Sequence, residues 1–337
     1  MRYNTLIVAA LVSLIIGACS SNKPSAQLAD LLNRIHKGKV VRLDSICTKY
    51  IEYAPNITAD GKRLYFISNR PGSYRTTDNS LSHDVWFCDV IDPTQVVFDK
   101  PKNADTLHLY GMQSLNTSVN EGVVSYCAAT HELFITGCSR PDGNGDCDIY
   151  VCKQNSDGTW GKAENLGSTV NSIAWESQPS ISSDGLMLYF VSNRTSTLPY
   201  KSGGSVSIWY STYDTTTHQW SNAQRLDPVN IGLKNWAPFI CADGKTLFFS
   251  SYNIARAGDL DYYVTERDSA NNWLKPINVG SPLNTNDEDS FLSIPSSMDV
   301  IYFSRLFKDE TTGKLTYDLY KLELPAKSSS LDKFRLP

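Results

Sequence analysis

The sequence predicts an all-β fold, a β-propeller of four-stranded antiparallel blades, with five blades, six as the alternative count, and a short N-terminal helix. Three observations lead to this prediction. A phrase in which a tight turn precedes an aromatic strand recurs five times along the 337-residue chain. Each copy lies in a unit of about 55 to 60 residues that carries four short strands, as in radially stacked repeats. Aromatic residues make up 11% of the chain and charged residues only 20%, a balance that favours sheet.

The repeated phrase supplies the second strand of each unit. In the three clearest copies, at 60–68, 184–192 and 243–251, Asp-Gly is followed by two aromatic residues and then by a serine. Weaker copies lie at 133–136 and 301–305. Glycine accepts a positive φ without steric cost, so Asp-Gly is a strong hairpin signal. Each second strand therefore pairs with the strand that precedes its turn.

The remaining strands of the unit follow the same alignment. The innermost strand carries a proline in three units, at Pro55, Pro179 and Pro238. The third strand opens with Asp84, Asp148, Asp261 and Asp318, and with Ser207 in the third unit. The outermost segment begins with an aromatic residue: Trp160, Trp220 and Trp273, with Phe98 as a poorer copy. We interpret the recurrent aspartate as a turn residue that caps backbone amides.

Residues 1–18 form a predicted signal peptide. Arg2 supplies the positive start, and the apolar run from Leu6 to Ile16 is too short to span a membrane. The run ends in Leu-Ile-Ile-Gly-Ala-Cys, which resembles the lipobox of bacterial lipoproteins. That resemblance implies cleavage before Cys19 and a diacylglyceryl group with acyl chains such as palmitate on Cys19. The alternative is an ordinary signal peptide followed by an incidental cysteine.

The lipid anchor would be the only contact with the membrane, since two or more acyl chains give a stable attachment. Ser20 and Ser21 resemble an outer-membrane sorting signal of enterobacterial lipoproteins. Acidic residues typical of surface export are missing after the cysteine, so we expect a periplasm-facing protein at the outer membrane. The net charge of −4 argues against a nucleic-acid partner.

The mature chain divides into a tether at 19–26, a short helix and lead-in strand at 27–49, the propeller at 50–325 and a tail at 326–337. The helix is predicted from Ala26 to His36, because apolar residues recur there at helical spacing. These residues are Leu28, Leu31, Leu32 and Ile35. We expect this helix to cover apolar surface at one end of the ring.

The Asp-Gly-Lys-x-Leu-Tyr/Phe-Phe-x-Ser phrase resembles the PD40 (WD40-like) repeat over about 50–325. Such repeats form the propeller of the periplasmic TolB protein and of many lipoproteins of Bacteroidetes-type bacteria. The chain departs from the pattern at 128–132 and 295–299. The resemblance implies a non-enzymatic outer-membrane lipoprotein that binds or scaffolds a protein partner, either an envelope protein or a peptidoglycan-associated complex.

One position of the innermost strand is acidic in four of five units, three residues before the strand proline. The aligned residues are Glu52, Glu121, Glu176, Asn235 and Asp287. We expect them to ring the mouth of the central channel, flanked by Tyr53, Trp175 and Trp236. Such a ring would bind a cation, a basic peptide segment or a sugar. The alternative is that each carboxylate accepts hydrogen bonds from backbone amides of the next blade.

The loop before the third strand of the second unit resembles the front of a calcium loop. Asp142, Asn144, Asp146 and Asp148 offer oxygen ligands at alternate positions. Cys147 stands where the loop needs glycine and Lys153 where it needs glutamate, so the alternative is a Gly- and Asp-rich hairpin loop without metal. Calcium is the single cofactor that the sequence suggests. Cys138 and Cys147 flank this loop closely enough to form a disulfide, while the other cysteines are predicted to be small buried residues.

Two further functions are compatible with the sequence. A glycan-binding lipoprotein would use exposed aromatic residues on one face. A five-bladed glycoside hydrolase would need two central carboxyl groups about 5–5.5 Å or 6.5–9.5 Å apart. No nucleophile elbow, phosphate loop or His-Glu-x-x-His motif occurs in the sequence.

Overall fold

The computed structural model describes residues 23–92, 96–107, 115–195, 204–252, 260–310 and 313–327. These residues form five antiparallel blades, so the predicted five-bladed propeller is confirmed and the six-bladed alternative is wrong. The predicted signal peptide, Cys19 and most of the predicted C-terminal tail lie outside the described residues.

The strands are numbered β1 to β22 in chain order, and four positions recur in each blade. The innermost strands are β2 (Glu52–Ile57), β7 (Glu121–Cys127), β11 (Glu176–Ile181), β16 (Asn235–Ile240) and β20 (Glu288–Ser293). The second strands are β3 (Arg63–Ser68), β8 (Glu132–Cys138), β12 (Met187–Ser192), β17 (Thr246–Tyr252) and β21 (Val300–Lys308). The third strands are β4 (Asp84–Asp92), β9 (Cys147–Lys153), β13 (Ser207–Asp214), β18 (Leu260–Glu266) and β22 (Leu315–Glu323).

The outermost position is the most variable. It holds β5 (Val97–Phe98) and β6 (Lys102–Asn103), β10 (Glu164–Asn165), β14 (Gln219–Trp220) and β15 (Gln224–Arg225), β19 (Ile277–Asn278) and, in the fifth blade, β1 (Lys39–Arg42). Strand β1 pairs with β22 from Lys39 opposite Glu323 to Arg42 opposite Tyr320. The N-terminal strand therefore completes the last blade and closes the ring, which leaves no strand of the described residues for a sixth blade.

In four of the five second strands, an aromatic pair places one ring on each face of its blade. Side chains alternate along a strand, so neighbours in sequence pack against different blades. Tyr65 packs with Val124 and Leu133 of the second blade. Phe66 packs on the opposite side with Tyr302 of the fifth blade. The repeated aromatic pair thus fills two inter-blade cores at once.

The predicted N-terminal helix is present as α1 (Ala26–His36). Ser25 caps it, because its hydroxyl accepts a hydrogen bond from the Leu28 amide at 3.1 Å. Leu28, Leu31 and Ile35 are buried against the fourth and fifth blades. Within the described part of the chain, no helix is long and apolar enough to cross a membrane.

Candidate functional site

The acidic position of the innermost strand is buried inside the blade. The exposed fraction of Glu52 and Glu176 is 0%, and that of Glu121 is 1%. In the third blade, the amide and hydroxyl of Ser172 donate to the two oxygens of Glu176 at 2.6 and 2.9 Å. Arg194 lies 3.2 Å from the same carboxylate and also donates to the Val170 carbonyl at 2.5 Å.

We call this set of contacts the junction latch, because it ties the segment entering a blade to that blade's first two strands. The latch recurs at Glu52 with Thr48 and Arg70, at Glu121 with Thr117 and Arg140, and at Asp289 with Thr285 and Arg305. The carboxylates therefore bind groups of the structure itself, much as the alternative in the sequence analysis held. The amides, however, belong to the entering segment four residues earlier.

The fifth member of the set is Asp289, so the assignment of Asp287 is wrong. Asp287 is exposed, whereas Asp289 has 0% exposure and accepts from Arg305 at 2.8 Å. The fifth blade has no strand proline from which to count back. The predicted position, Asp287, therefore lies two residues before the correct one, Asp289. Position 291 has the positive φ found at Ala54 of the first blade, which fixes the register.

A second signal in the sequence would have found the correct residue. An asparagine lies five residues before each acidic position in four junctions: Asn116, Asn171, Asn230 and Asn284. Each clamps a third-strand residue of the preceding blade; Asn171, for example, accepts from the Ile149 amide at 2.8 Å and donates to its carbonyl at 2.9 Å. The asparagines therefore mark the register of these four junctions.

In the first junction, Cys47 takes the place of this asparagine. Its sulfur accepts from the Leu319 amide at 3.2 Å and donates to the Leu319 carbonyl at 3.5 Å. Cys47, Glu52 and Asp318 also lie close enough together to suggest a metal site among the described residues. Burial raises the pKa of Cys47 to about 12, and the two carboxylates bind Arg70 and Arg42. We therefore interpret this cluster as the junction between the fifth and first blades rather than as a metal site.

The residues immediately before and after each acidic position face the central channel, as strand alternation requires. They line a cavity of about 450 Å³, which we call the mouth pocket. The preceding residues are Ile51, Asn120, Trp175, Lys234 and Glu288, and the following ones are Tyr53, Gly122, Ser177, Trp236 and Ser290. All three aromatic residues named in the sequence analysis thus lie in this pocket, while the acidic positions, Glu121 apart, do not line it.

Aromatic rings form much of the pocket wall. The rings of Trp175 and Trp236 meet edge to face with centroids 5.5 Å apart. On the side where the fifth and first blades meet, the Tyr53 ring lies 5.6 Å from both Phe291 and Tyr317. Below the pocket, the channel narrows to a space of about 20 Å³ lined by the strand prolines among others. A ligand would therefore enter from one end and stop at this floor.

The ionisable groups of the pocket are few. Tyr317 donates to a Glu288 oxygen at 2.9 Å, and burial raises the pKa of Glu288. The ammonium group of Lys234 lies 5.3 Å from the centroid of the Tyr252 ring. Burial lowers the pKa of His83, which contacts the Tyr53 hydroxyl at 3.3 Å, so the imidazole is neutral at pH 7. The site combines an apolar wall with separated positive and negative groups.

The calcium expectation does not fit the structure. Among the described residues, Asp142, Asp146 and Asp148 do not converge on one point. Asp148 accepts from the Asn144 amide and from Asn165 at 2.9 Å, and Asp142 accepts from the Tyr150 hydroxyl at 3.0 Å. Asp148 is the recurrent third-strand aspartate, whose partner is an asparagine of the outermost strand, as in Asp84 with Asn103. The Oδ2 atom of Asp148 is therefore held by hydrogen bonds within the blade.

The structure contains the disulfide between Cys138 and Cys147, which lie opposite each other in register on β8 and β9. Among the other described cysteines, four are buried and Cys47 is partly buried. A wider cleft of about 900 Å³ lies at the other end of the first and second blades. Its Arg63 and Asp89 are already paired at 2.6 Å, which leaves the mouth pocket as the stronger candidate.

Comparison with known proteins shows the fold alone. No protein-family model and no curated protein matches the chain. A solved glycoside hydrolase shares 8% identity with a TM-score of 0.52, over 94% of this chain and 99% of that one. TolB from Agrobacterium tumefaciens shares 15% identity with a TM-score of 0.45, over 86% and 91%. TolB from Acinetobacter baumannii shares 15% sequence identity with a TM-score of 0.42. That match covers 77% of this chain and 53% of the TolB chain.

Proposed function

We propose that this chain is a non-enzymatic outer-membrane lipoprotein of PD40 type, whose propeller binds a protein partner in the cell envelope at the mouth pocket. The observation that carries the proposal is a pair of exposed aliphatic residues at the pocket rim. Ile173 is 92% exposed and Leu233 is 73% exposed, and they lie just before Trp175 and Trp236 in the entering segments. Exposed apolar residues that continue an apolar pocket are typical of a docking surface.

Aliphatic rim residues favour a peptide segment over a sugar as the occupant. Sugars are held by aromatic platforms and hydrogen bonds, whereas a peptide also buries branched aliphatic side chains against its partner. Two more exposed apolar residues lie on the same end of the propeller, Leu315 at 65% and Tyr74 at 43%. A partner that inserts one segment into the pocket would cover the rim with its flanking residues.

The use of the acidic positions supports a binding role over catalysis. Glu52, Glu176 and Asp289 have their oxygens in junction latches, and so does Glu121 at the edge of the pocket. Glu288 is the other carboxylate among the described lining residues. A glycosidase needs two available carboxyl groups across the scissile bond.

The lipobox at Cys19 and the serines after it support a periplasm-facing position at the outer membrane. Attachment would be through lipid alone. The partner is then an envelope protein or a member of a peptidoglycan-associated complex, held within reach of the tether.

Cross-linking in living cells tests the proposal. Ile173→Ser/Leu233→Ser removes the apolar rim without disturbing the core, and Ile91→Ser at the other end of the propeller, where Ile91 is 64% exposed, is the matched control. We expect mass spectrometry to recover an envelope protein with the wild type and the control, and to lose it with the double variant. Equal recovery from all three would refute the mouth as the docking surface.

A glycan ligand is the second candidate, supported by the rings of Trp175, Trp236 and Tyr53 in a pocket of about 450 Å³. This volume suits one or two sugar units. Binding to a glycan array that is lost in Trp236→Ala and kept in Ile173→Ser/Leu233→Ser would favour it. Turnover of the bound glycan would replace both binding proposals with an enzymatic one.

A further inference from the structure

We infer that one corner of the mouth pocket binds a cationic group, such as the side chain of lysine or arginine in the bound segment. The corner consists of Glu288, Tyr53, Phe291 and Tyr317, and we call it the cation corner. The inference rests on the proposed function for the identity of the partner. It does not need that partner for the existence of the site.

The cation corner is built from three mutually contacting rings and one carboxylate. The centroid of Tyr53 is 5.6 Å from those of Phe291 and Tyr317, which are 6.4 Å from each other. The Tyr317 hydroxyl donates to one oxygen of Glu288 at 2.9 Å and so orients the carboxylate. Aromatic faces beside a carboxylate attract ammonium and guanidinium groups through the ring quadrupole and through charge.

Glu288 differs from every carboxylate of the junction latches because it has no ion-pair partner. Glu52, Glu121, Glu176 and Asp289 each lie within 3.2 Å of an arginine nitrogen. Among the described residues, no lysine, arginine or histidine nitrogen lies within 4.0 Å of Glu288. A partly buried carboxylate pays a desolvation cost that a cation from the ligand would offset.

Three other ionisable groups lie near this corner, and one of them, Glu121, is already paired with Arg140 in its junction latch. His83 is neutral at pH 7, since burial lowers its pKa, and it contacts Tyr53 rather than Glu288. Lys234 lowers the pKa of Glu288 at a distance, yet its ammonium group lies over Tyr252. Lys234 therefore leaves the corner free for a second cation and offers a donor to a carbonyl or carboxylate elsewhere on the ligand.

The backbone at Phe291 supports a functional role for the corner. Its φ is +58°, in the left-handed region that is costly for a bulky side chain. The corresponding positions carry Ala54, Gln178 and Ala237, which are smaller or unbranched. The fifth blade alone places an aromatic ring at this strained position, where it forms a wall of the pocket.

The test uses three small probes with the mature chain: N-acetyl-arginine amide, N-acetyl-lysine amide and N-acetyl-glutamine amide. Ligand-observed NMR and tryptophan fluorescence report binding, because Trp175 and Trp236 line the same pocket. Glu288→Gln keeps an oxygen to accept from Tyr317 and removes only the charge. Asp287→Asn removes an exposed charge one residue away and is the matched control.

We expect both cationic probes to bind at least tenfold more tightly than the neutral probe. Glu288→Gln should abolish that preference, and Asp287→Asn should retain it. Equal binding of the three probes, or an unchanged preference in Glu288→Gln, would overturn the inference even where cross-linking recovers a partner. Selective cation binding with no partner recovered would keep the cation corner and reject the protein-partner proposal instead.

Discussion

Breaking one junction latch should destabilise the whole propeller, and Glu176 is the clearest place to do it. Glu176→Ala removes the acceptor of two hydrogen bonds from Ser172, one from Ser192 at 2.5 Å and the ion pair with Arg194. Removing one partner of a buried pair costs about 3–5 kcal/mol, because the other charge stays uncompensated. The Arg194 side chain is 16% exposed and regains some water, so we expect about 3 kcal/mol.

The fourth blade supplies the matched control. There the acidic position is Asn235, and Asn253 stands where the first and third blades have the latch arginine. Asn235 accepts from the Ile231 amide and from the Ser251 hydroxyl, both at 3.1 Å, so the junction forms without charge. Glu176→Asn/Arg194→Asn copies this natural arrangement. It should cost about 1–2 kcal/mol less than Glu176→Asn alone, since no unpaired charge remains.

Urea unfolding followed by tryptophan fluorescence measures both effects. Glu176→Ala should shift the unfolding midpoint to lower urea concentration with an unchanged slope. Its melting temperature should fall by about 6 °C, at roughly 2 °C per kcal/mol for a chain of this size. Arg194→Asn completes the double-mutant cycle. Strictly additive losses, or a single variant within about 0.5 kcal/mol of wild type, would refute the latch as an energetic unit.

Three further predictions concern other contacts. Burial raises the folded-state pKa of Glu121 to about 7, above its ordinary value of 4.5, so between these pH values the folded protein holds a proton that the unfolded chain releases. The free energy of unfolding should therefore fall from pH 4.5 to 7. Melting curves of Glu121→Gln should show a weaker fall over the same range. Ile35→Ala should cost about 2–4 kcal/mol in urea unfolding by opening a cavity under the helix, whereas the partly buried Leu32→Ala should cost less. Reducing the Cys138–Cys147 disulfide should cost about 2.5 kcal/mol for so short a loop, and dithiothreitol should not shift the melting of Cys138→Ser/Cys147→Ser.

The repeated parts of the fold could be predicted because each is stated several times in the sequence. Period, turn chemistry and the aromatic pair all indicated the same four-stranded unit, and the helix followed from apolar spacing. The closure of the ring by Lys39–Arg42 could not be predicted. That strand matches no copy of the repeat, and only its pairing with β22 identifies it.

The site was missed by one position along the strand. Glu52, Glu121 and Glu176 were correctly placed on the innermost strands, whereas Asp287 was not, and a bulge after each acidic position and the alternation of side chains turn the carboxylates into the blade. A shift of one residue along a strand moves a side chain to the opposite face of the sheet. The sequence pattern therefore does not show whether Glu52 or its neighbour Tyr53 faces the channel. The acidic position itself carried a clue: a residue repeated in blade after blade serves the junction that every blade shares.

Repetition and variety along the innermost strands support the mouth pocket as the proposed binding site. A repeat protein must solve the same packing problem at every junction, so residues that recur five times are explained by stability. The pocket residue that precedes the acidic position differs in every blade, from Ile51 to Glu288, and the residue that follows it repeats only as serine, at Ser177 and Ser290. Nothing in the stacking of blades requires that variety. The positive φ at Phe291 also carries a local conformational free-energy cost. We therefore expect substitutions at Lys234 or Glu288 to change ligand binding with little effect on unfolding, the opposite of Glu176.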